Sequence, residues 1–205
     1  MSSSVLIVGD GAVGKTALLR TASKDTFDKS VEIPCVLKDK KGAAELSVLR
    51  FFDSSSLEED SPSRIKLYSK ASLILIVFSV ISPYSFENVR TKVSSSFRFP
   101  HQQWIPEIRR YAPDRDVFLV GTKSDLRNNE EVLERLQRMS AVPIPVSSAR
   151  KMRKEVGALM YAEINAKSDE DVQHLVEQVN LHVGGKRPSG QDYTPLETPK
   201  KCDIL

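Results

Sequence analysis

The sequence predicts an α/β fold, with a mainly parallel sheet and helices on both faces, from three observations. Apolar, β-type runs alternate with helix-prone stretches along most of the chain. The first such run, Val5–Val8, leads into a glycine-rich turn that opens directly onto a helix-prone stretch. The central run, Leu73-Ile74-Leu75-Ile76-Val77-Phe78, contains no polar residue, as expected of a strand covered on both faces.

Taken in order, Val5–Val8 reads as a strand and Lys15–Ser23 as a helix. Leu46–Phe52 is β-like, and Ser61–Tyr68 is helix-like with Pro62 in its first turn, where the missing N–H costs nothing. Leu73–Phe78 is the buried strand. Pro83–Val89 opens a helix, Val117–Val120 is a strand, and Glu130–Met139 is a charged amphipathic helix. Ser147–Val156 is helical, Leu159–Ile164 strand-like, and Asp169–His182 a final helix. Right-handed crossovers would connect the parallel strands. From Gly184 to Leu205 the composition turns to Gly, Pro, Ser, Thr, Lys and Asp without periodicity, which predicts a disordered tail.

Bulk properties exclude several classes. A chain of 205 residues, 40% hydrophobic and 28% charged, suits one globular domain. A net charge of +3 gives no general reason to expect nucleic acid as a partner. Two distant cysteines, Cys35 and Cys202, point to a reducing compartment rather than a disulfide framework. The first residues run straight into the first strand, so no targeting segment is expected there, and Ser2 is not a myristoylation site. The apolar stretch from Ala71 to Val80, interrupted by Ser72 and Ser79, is too short to span a bilayer.

The turn after the first strand reads Gly9-Asp10-Gly11-Ala12-Val13-Gly14-Lys15-Thr16-Ala17 and fits the phosphate-loop pattern G-x-x-x-x-G-K-[ST]. Its glycines let the backbone curl so that successive N–H groups point at phosphate oxygens, and the helix N-terminus adds its positive dipole end. Lys15 would reach the outer phosphates, and the Thr16 hydroxyl would ligate Mg²⁺. After the Val117–Val120 strand comes Gly121-Thr122-Lys123-Ser124-Asp125-Leu126, a T-K-x-D string. A carboxylate there suits paired donors on a guanine edge, and the Lys123 stem would cover one face of the base.

At these residues the chain resembles the Ras superfamily of small GTPases. Within it the Rho/Rac branch is the nearer match, on the phosphate loop, on Ser82-Pro83-Tyr84-Ser85-Phe86-Glu87-Asn88-Val89, on Gly121 through Arg127, and on Lys154-Glu155-Val156-Gly157-Ala158. The resemblance implies the small G-protein form of the phosphate-loop NTPase fold over residues 1–183, a Rho-type insert helix at Glu130–Met139, and GTP or GDP with Mg²⁺ as ligands. It places Asn165-Ala166-Lys167 where the family's S-A-[KL] offers N–H groups to the guanine O6. Phe27 would pack edge-on against the base, and Asp53 would hold Mg²⁺ through a water.

The switch motifs depart from the family. Glu32-Ile33-Pro34-Cys35-Val36 stands against the family's Tyr-Ile-Pro-Thr-Val in the first, effector-facing switch. The match puts Cys35, a soft donor, where a Thr hydroxyl would meet Mg²⁺, and Glu32 near the phosphates. Asp53-Ser54-Ser55-Ser56-Leu57-Glu58 stands against D-T-A-G-Q-E, with Ser56 for a Gly and Leu57 for the Gln that orients the attacking water. Val93–Gln103 looks inserted between Lys92 and Trp104, as a basic, aromatic docking loop, as a solvated excursion, or as a retained short intron in the gene.

The chain closes on Cys202-Asp203-Ile204-Leu205, a C-a-a-X pattern whose final Leu predicts geranylgeranylation of Cys202. With only a weak polybasic stretch beside it, one such lipid gives reversible membrane binding, at the cytoplasmic face and in exchange with cytosol. Two functions follow. One is a membrane-tethered GTP-binding switch with little or no hydrolysis. The other is a conventional Rho-type GTPase. The family's partners would be effector proteins, exchange factors and GDP-dissociation inhibitors.

Overall fold

The computed structural model describes residues 2–24, 30–38, 44–54, 61–90 and 104–185. Its elements, in chain order, are β1 (Ser2–Val8), α1 (Lys15–Ser23), β2 (Ser30–Lys38), β3 (Ala44–Asp53), α2 (Ser61–Tyr68) and β4 (Leu73–Ser79). They continue with α3 (Pro83–Glu87), α4 (Trp104–Tyr111), β5 (Asp116–Thr122), α5 (Glu130–Arg138), α6 (Val146–Val156), β6 (Met160–Glu163) and α7 (Asp169–Val183). The sheet order is β2-β3-β1-β4-β5-β6. Among the described residues, only the β2–β3 pair is antiparallel.

Strand alternation sorts the core into two layers. Leu6, Val8, Ile74, Ile76, Phe78, Val117, Leu119 and Tyr161 face one side and pack with Trp104 and Ile108 of α4, Leu136 of α5 and Met152 of α6. Val5, Ile7, Leu73, Leu75, Val77, Phe118 and Val120 face the other, under Leu18 and Leu19 of α1 and Val172, Leu175 and Val179 of α7. Every residue of β4 is buried, as its unbroken apolar run predicts. The α/β expectation, with helices on both faces, is met.

Local chemistry sets the helix ends. Ser82 caps α3 by accepting from the Ser85 N–H, with Pro83 at the first helical position. Asn129 caps α5, and Ser168 caps α7 ahead of Asp169, Glu170 and Asp171, whose charges suit the positive helix end. Gly157, at φ 69°, ends α6 with its N–H turned back onto the helix's last carbonyls.

Two elements were not expected. β2 covers the stretch read as the first switch, and α4 follows the inserted segment. β2 does alternate, with Val31 buried and Ile33 and Cys35 packed against the core while Glu32, Pro34 and Val36 are exposed. Pro34, which has no N–H, is tolerated because β2 is the outermost strand. α4 buries Trp104 and Ile108, one turn apart, and carries Pro106 in its first turn. The first N–H groups of α4 donate to earlier carbonyls, Trp104 to Asn88 (3.1 Å) and Ile105 to Val89 (3.1 Å). The chain thus leaves and rejoins at one point on either side of residues 91–103. The insertion read at Val93–Gln103 lies outside the described residues, as does the tail predicted from Gly184 beyond its first two residues.

Gly9 ends β1 at φ 146°, and a Cβ there would overlap the Val77 carbonyl oxygen of β4. Gly9→Ala should therefore destabilise the fold by roughly 3 kcal/mol or more, through clash and left-handed strain together. Urea denaturation measures it, and a loss under about 0.5 kcal/mol, the range of neutral surface changes, would contradict the close approach.

Candidate functional site

The carboxyl ends of β1, β3, β4 and β5 converge on one edge of the sheet, where ligands collect in such folds. The Gly9–Thr16 turn lies there, and its carbonyls are held by side chains and by the first turn of α1. The Lys15 ammonium donates to Gly9 O (2.8 Å) and Asp10 O (2.7 Å). The Lys123 ammonium donates to Ala12 O (2.8 Å), and the Thr122 hydroxyl reaches Val13 O. Leu18 N–H closes the first turn of α1 on Gly14 O (3.0 Å). Ala12 takes a positive φ of 59° and Gly14 one of 108°. Holding a loop by its carbonyls leaves its N–H groups to face an anion.

Lys15 is buried, and burial pushes its ammonium below the usual lysine range, against the opposing pull of Asp53 and Asp10. Two of its three protons are used on the loop, so one remains for a phosphate oxygen. The Asp10 carboxylate points away from the loop's inner face. It accepts from Asn88 Nδ2 (2.7 Å) and Trp104 Nε1 (2.8 Å), so only the backbone of Asp10 can serve a phosphate. Ala17 is packed against the core layer beneath α1.

The Thr16 hydroxyl lies 3.1 Å from Asp53 Oδ2. Among the described residues, Asp53 Oδ1 is buried without a hydrogen-bond partner. Two hard oxygen donors side by side, one of them orphaned, fit Mg²⁺. Ser54 fixes this end of β3, since both its N–H and its hydroxyl donate to the Ile7 carbonyl of β1 (3.3 and 2.6 Å). Ser54, read as part of the second switch, is thus an anchored residue. Ser55, Ser56 and Leu57 lie outside the described residues, as do Phe27 and Cys202.

On the base side, Asp125 is exposed in a short 3-10 turn over Ser124–Leu126. Lys123 sits at φ 63°, and its stem runs from this turn to the phosphate loop. Burial lowers its pKa, with Arg135 nearby acting in the same direction. Thr122 is fully buried between the Val13 and Phe78 carbonyls, and Leu126 is packed against the core. Both brace the turn from beneath, Thr122 through its hydroxyl and Leu126 through its packing. In the Asn165-Ala166-Lys167 segment, the Asn165 N–H donates to Asp171 Oδ2 (2.6 Å) and the Lys167 N–H to Asn165 Oδ1 (3.0 Å). The N–H these bonds leave over is that of Ala166, so the expected set of donors narrows to one.

Two largely buried Arg–Glu–Tyr triads support the site. Glu163 accepts from the Arg127 fork and from Tyr161 (2.6 Å) beneath the base turn. Glu107 accepts from the Arg64 fork and from Tyr68 (2.9 Å), tying α2 to α4. Burial, then the neighbouring carboxylate, drives both phenols far above the ordinary tyrosine range.

The first-switch reading does not survive. Cys35 pairs with Ser47 in the β2–β3 ladder, six residues along β3 from Asp53. At about 3.3 Å per residue that is ~20 Å, too far for a magnesium contact. Cys35 instead lines a cleft of about 580 Å³ with Thr21, Val172, Val176 and Asn180, and burial pushes its thiol up. Glu32 is opposite Arg50, whose Nε donates to it (2.8 Å), rather than beside the phosphates. Ile33 is turned into the same cleft, while Pro34 and Val36 lie at its exposed rim. The local string E-I-P-C-V resembles the switch, but the strand's alternation and the hairpin register decide where it goes.

Sequence reasoning missed Asn88, Trp104, Arg64, Glu107 and Asp171, which hold the site from behind. Their partners are remote in sequence, and no local spacing announces them. A family model described as the Ras family matches residues 4–183.

Burial also holds the Asp53 carboxyl above the ordinary carboxylate range, against the pull of Lys15 and Thr16. A carboxyl whose folded pKa is raised binds more protons in the fold than in the unfolded chain between the two pKa values. Protein free of nucleotide and magnesium should therefore lose stability as pH rises through that window. Asp53→Asn should flatten this dependence, raise the melting temperature at neutral pH, and remove the effect of Mg²⁺ on nucleotide release. Thermal melts of the stripped protein across the carboxylate range check the first two, and an Asp53→Asn melt below wild type would contradict them.

Proposed function

The chain belongs to the Ras family of small GTP-binding proteins, and we propose that within it this is a Rho-like, membrane-tethered member that binds guanine nucleotide and hydrolyses GTP poorly. The observation that carries this reading is the register of β2. Ser30 pairs with Phe52, next to Asp53, and the strand then runs away along the sheet edge. β2 begins six residues after Lys24, the C-cap of α1. On this register residues 31–38 supply no oxygen to the magnesium and no N–H to a γ-phosphate. A switch needs contacts that exist with the γ-phosphate and vanish without it.

The sequence of the second switch supports the same conclusion. Leu57 has no group with which to orient water, and Ser56 lacks the backbone freedom of the family's glycine. The phosphate loop and the Asp125 turn support retained binding. The helix at Glu130–Arg138 supports the Rho-like assignment, and Cys202 supports geranylgeranylation and placement at the cytoplasmic face of a membrane. In the bound state Thr16 and Asp53 would hold Mg²⁺, which would screen phosphate charge, while Lys15 would add a donor and the loop N–H groups would orient the phosphates. Effectors, exchange factors and GDP-dissociation inhibitors are the expected partner classes.

Single-turnover hydrolysis of GTP is the main test. The expected rate is on the order of 10⁻⁴ per second or below, with little stimulation by an arginine supplied in trans. Leu57→Gln alone should restore little, and Leu57→Gln with Ser56→Gly more. A wild-type rate of several per second with a GAP would overturn the reading.

Base choice is tested separately. Asp125→Asn should weaken GTP by roughly 30- to 1,000-fold and admit xanthine nucleotides, since a charge-assisted bidentate contact is worth about 2–4 kcal/mol. Equal affinity of the wild type for ATP and GTP would sink it. For the lipid, Cys202→Ser should shift the protein from membrane to soluble fractions.

A further inference from the structure

Asp10 poses a question that phosphate binding alone does not answer. A carboxylate stands within a loop built to hold anions, and it is 6% exposed. Its charge is directed outward onto two neutral donors. Trp104 Nε1 donates to Oδ1 (2.8 Å) and Asn88 Nδ2 to Oδ2 (2.7 Å), so each oxygen has one partner. The Asp10 carbonyl meanwhile accepts from Lys15. Flanked by Gly9 and Gly11, this residue has the least constrained backbone on either side, and side chain and main chain are both tied.

The two donors are themselves fixed. The Trp104 N–H donates to the Asn88 carbonyl (3.1 Å), which sets the donors side by side. Trp104 is 2% exposed, and its ring lies under the Arg64 guanidinium at 5.3 Å. Glu107 holds that guanidinium by a fork, so the indole cannot swing away without giving up its contact with a fixed cation.

We propose that Asn88 and Trp104 are positioning residues for nucleotide binding, which clamp the Asp10 carboxylate and thereby set the backbone of the phosphate loop. The inference rests on the Gly9–Thr16 loop binding the nucleotide's phosphates. Charge-assisted bonds of this kind are about twice as strong as neutral ones, and they add a side-chain anchor to the carbonyl bonds that already hold the loop. The clamp lies outside the ligand's reach, so its effect appears in how long the phosphates are held.

The test uses the full chain loaded with mant-GDP and magnesium. Trp104→Phe keeps an aromatic ring and removes the donor, and it should speed mant-GDP release about tenfold, with Asn88→Ala acting in the same direction. Asp10→Ala should speed release too, and adding Trp104→Phe to it should change nothing further, because both act through one link. The ³¹P resonance of the β-phosphate of bound GDP should also move in Trp104→Phe, a signature that loss of core packing alone would not give. Release at the wild-type rate in Trp104→Phe, or additive effects of Asp10→Ala and Trp104→Phe, would overturn the proposal, even if melting temperatures fall. Should Trp104→Phe fail to fold, Asn88→Ala and its double with Asp10→Ala decide by the same readouts. A wild-type chain that does not bind mant-GDP would overturn the nucleotide reading as well, whereas normal binding with unaltered release in the variants overturns this proposal alone.

Discussion

A loop whose N–H groups must face a ligand cannot order itself by bonding its own backbone. This constraint governs the arrangement of the sheet's ligand-binding edge. Gly9, Asp10, Ala12, Val13 and Gly14 each give up a carbonyl, to Lys15, Lys123, Thr122 or Leu18. Two of these donors, Thr122 and Lys123, come from the far end of β5, more than a hundred residues away in the chain. The base turn therefore helps shape the phosphate loop. Disturbing either loop should be felt in the other, because the same side chains belong to both.

The two Arg–Glu–Tyr triads solve a related problem at the level of helices and strands. A single buried glutamate is costly, and a fork plus a phenol satisfies its oxygens at once. One triad secures the turn that carries Asp125, and the other fastens α2 to α4. The chain thus spends its buried charge where elements that border the ligand must not drift, while the layers under β4 and β5 are apolar.

Much of the fold was legible because it rests on local periodicity. β1, β4 and β5 are apolar runs, the caps at Ser82, Asn129 and Ser168 are ordinary start signals, and the phosphate loop is a spaced motif between a strand and a helix. β2 was equally legible by alternation of Val31, Ile33 and Cys35, yet a five-residue likeness to a switch outweighed that pattern. Register corrected it, because pairing Ser30 with Phe52 commits every later residue of the strand. The clamp on Asp10 was not legible at all. Asn88 and Trp104 lie 78 and 94 residues from it, and only packing of α3 and α4 over the loop brings them there.

The paired bonds from Trp104 to Asn88 and from Ile105 to Val89 have a consequence for how this chain can change. They set the chain before residue 91 beside the chain after residue 103, so this junction is fixed by described residues on either side. Closure entropy grows only slowly with length, about 0.6 kcal/mol for each doubling. Segments can be gained, lost or exchanged at this position over evolutionary time without displacing a strand. The same property makes it a natural port for grafting a reporter, or for cutting the chain into two fragments that reassemble along α3 and α4. Such a port would stand directly behind the phosphate loop.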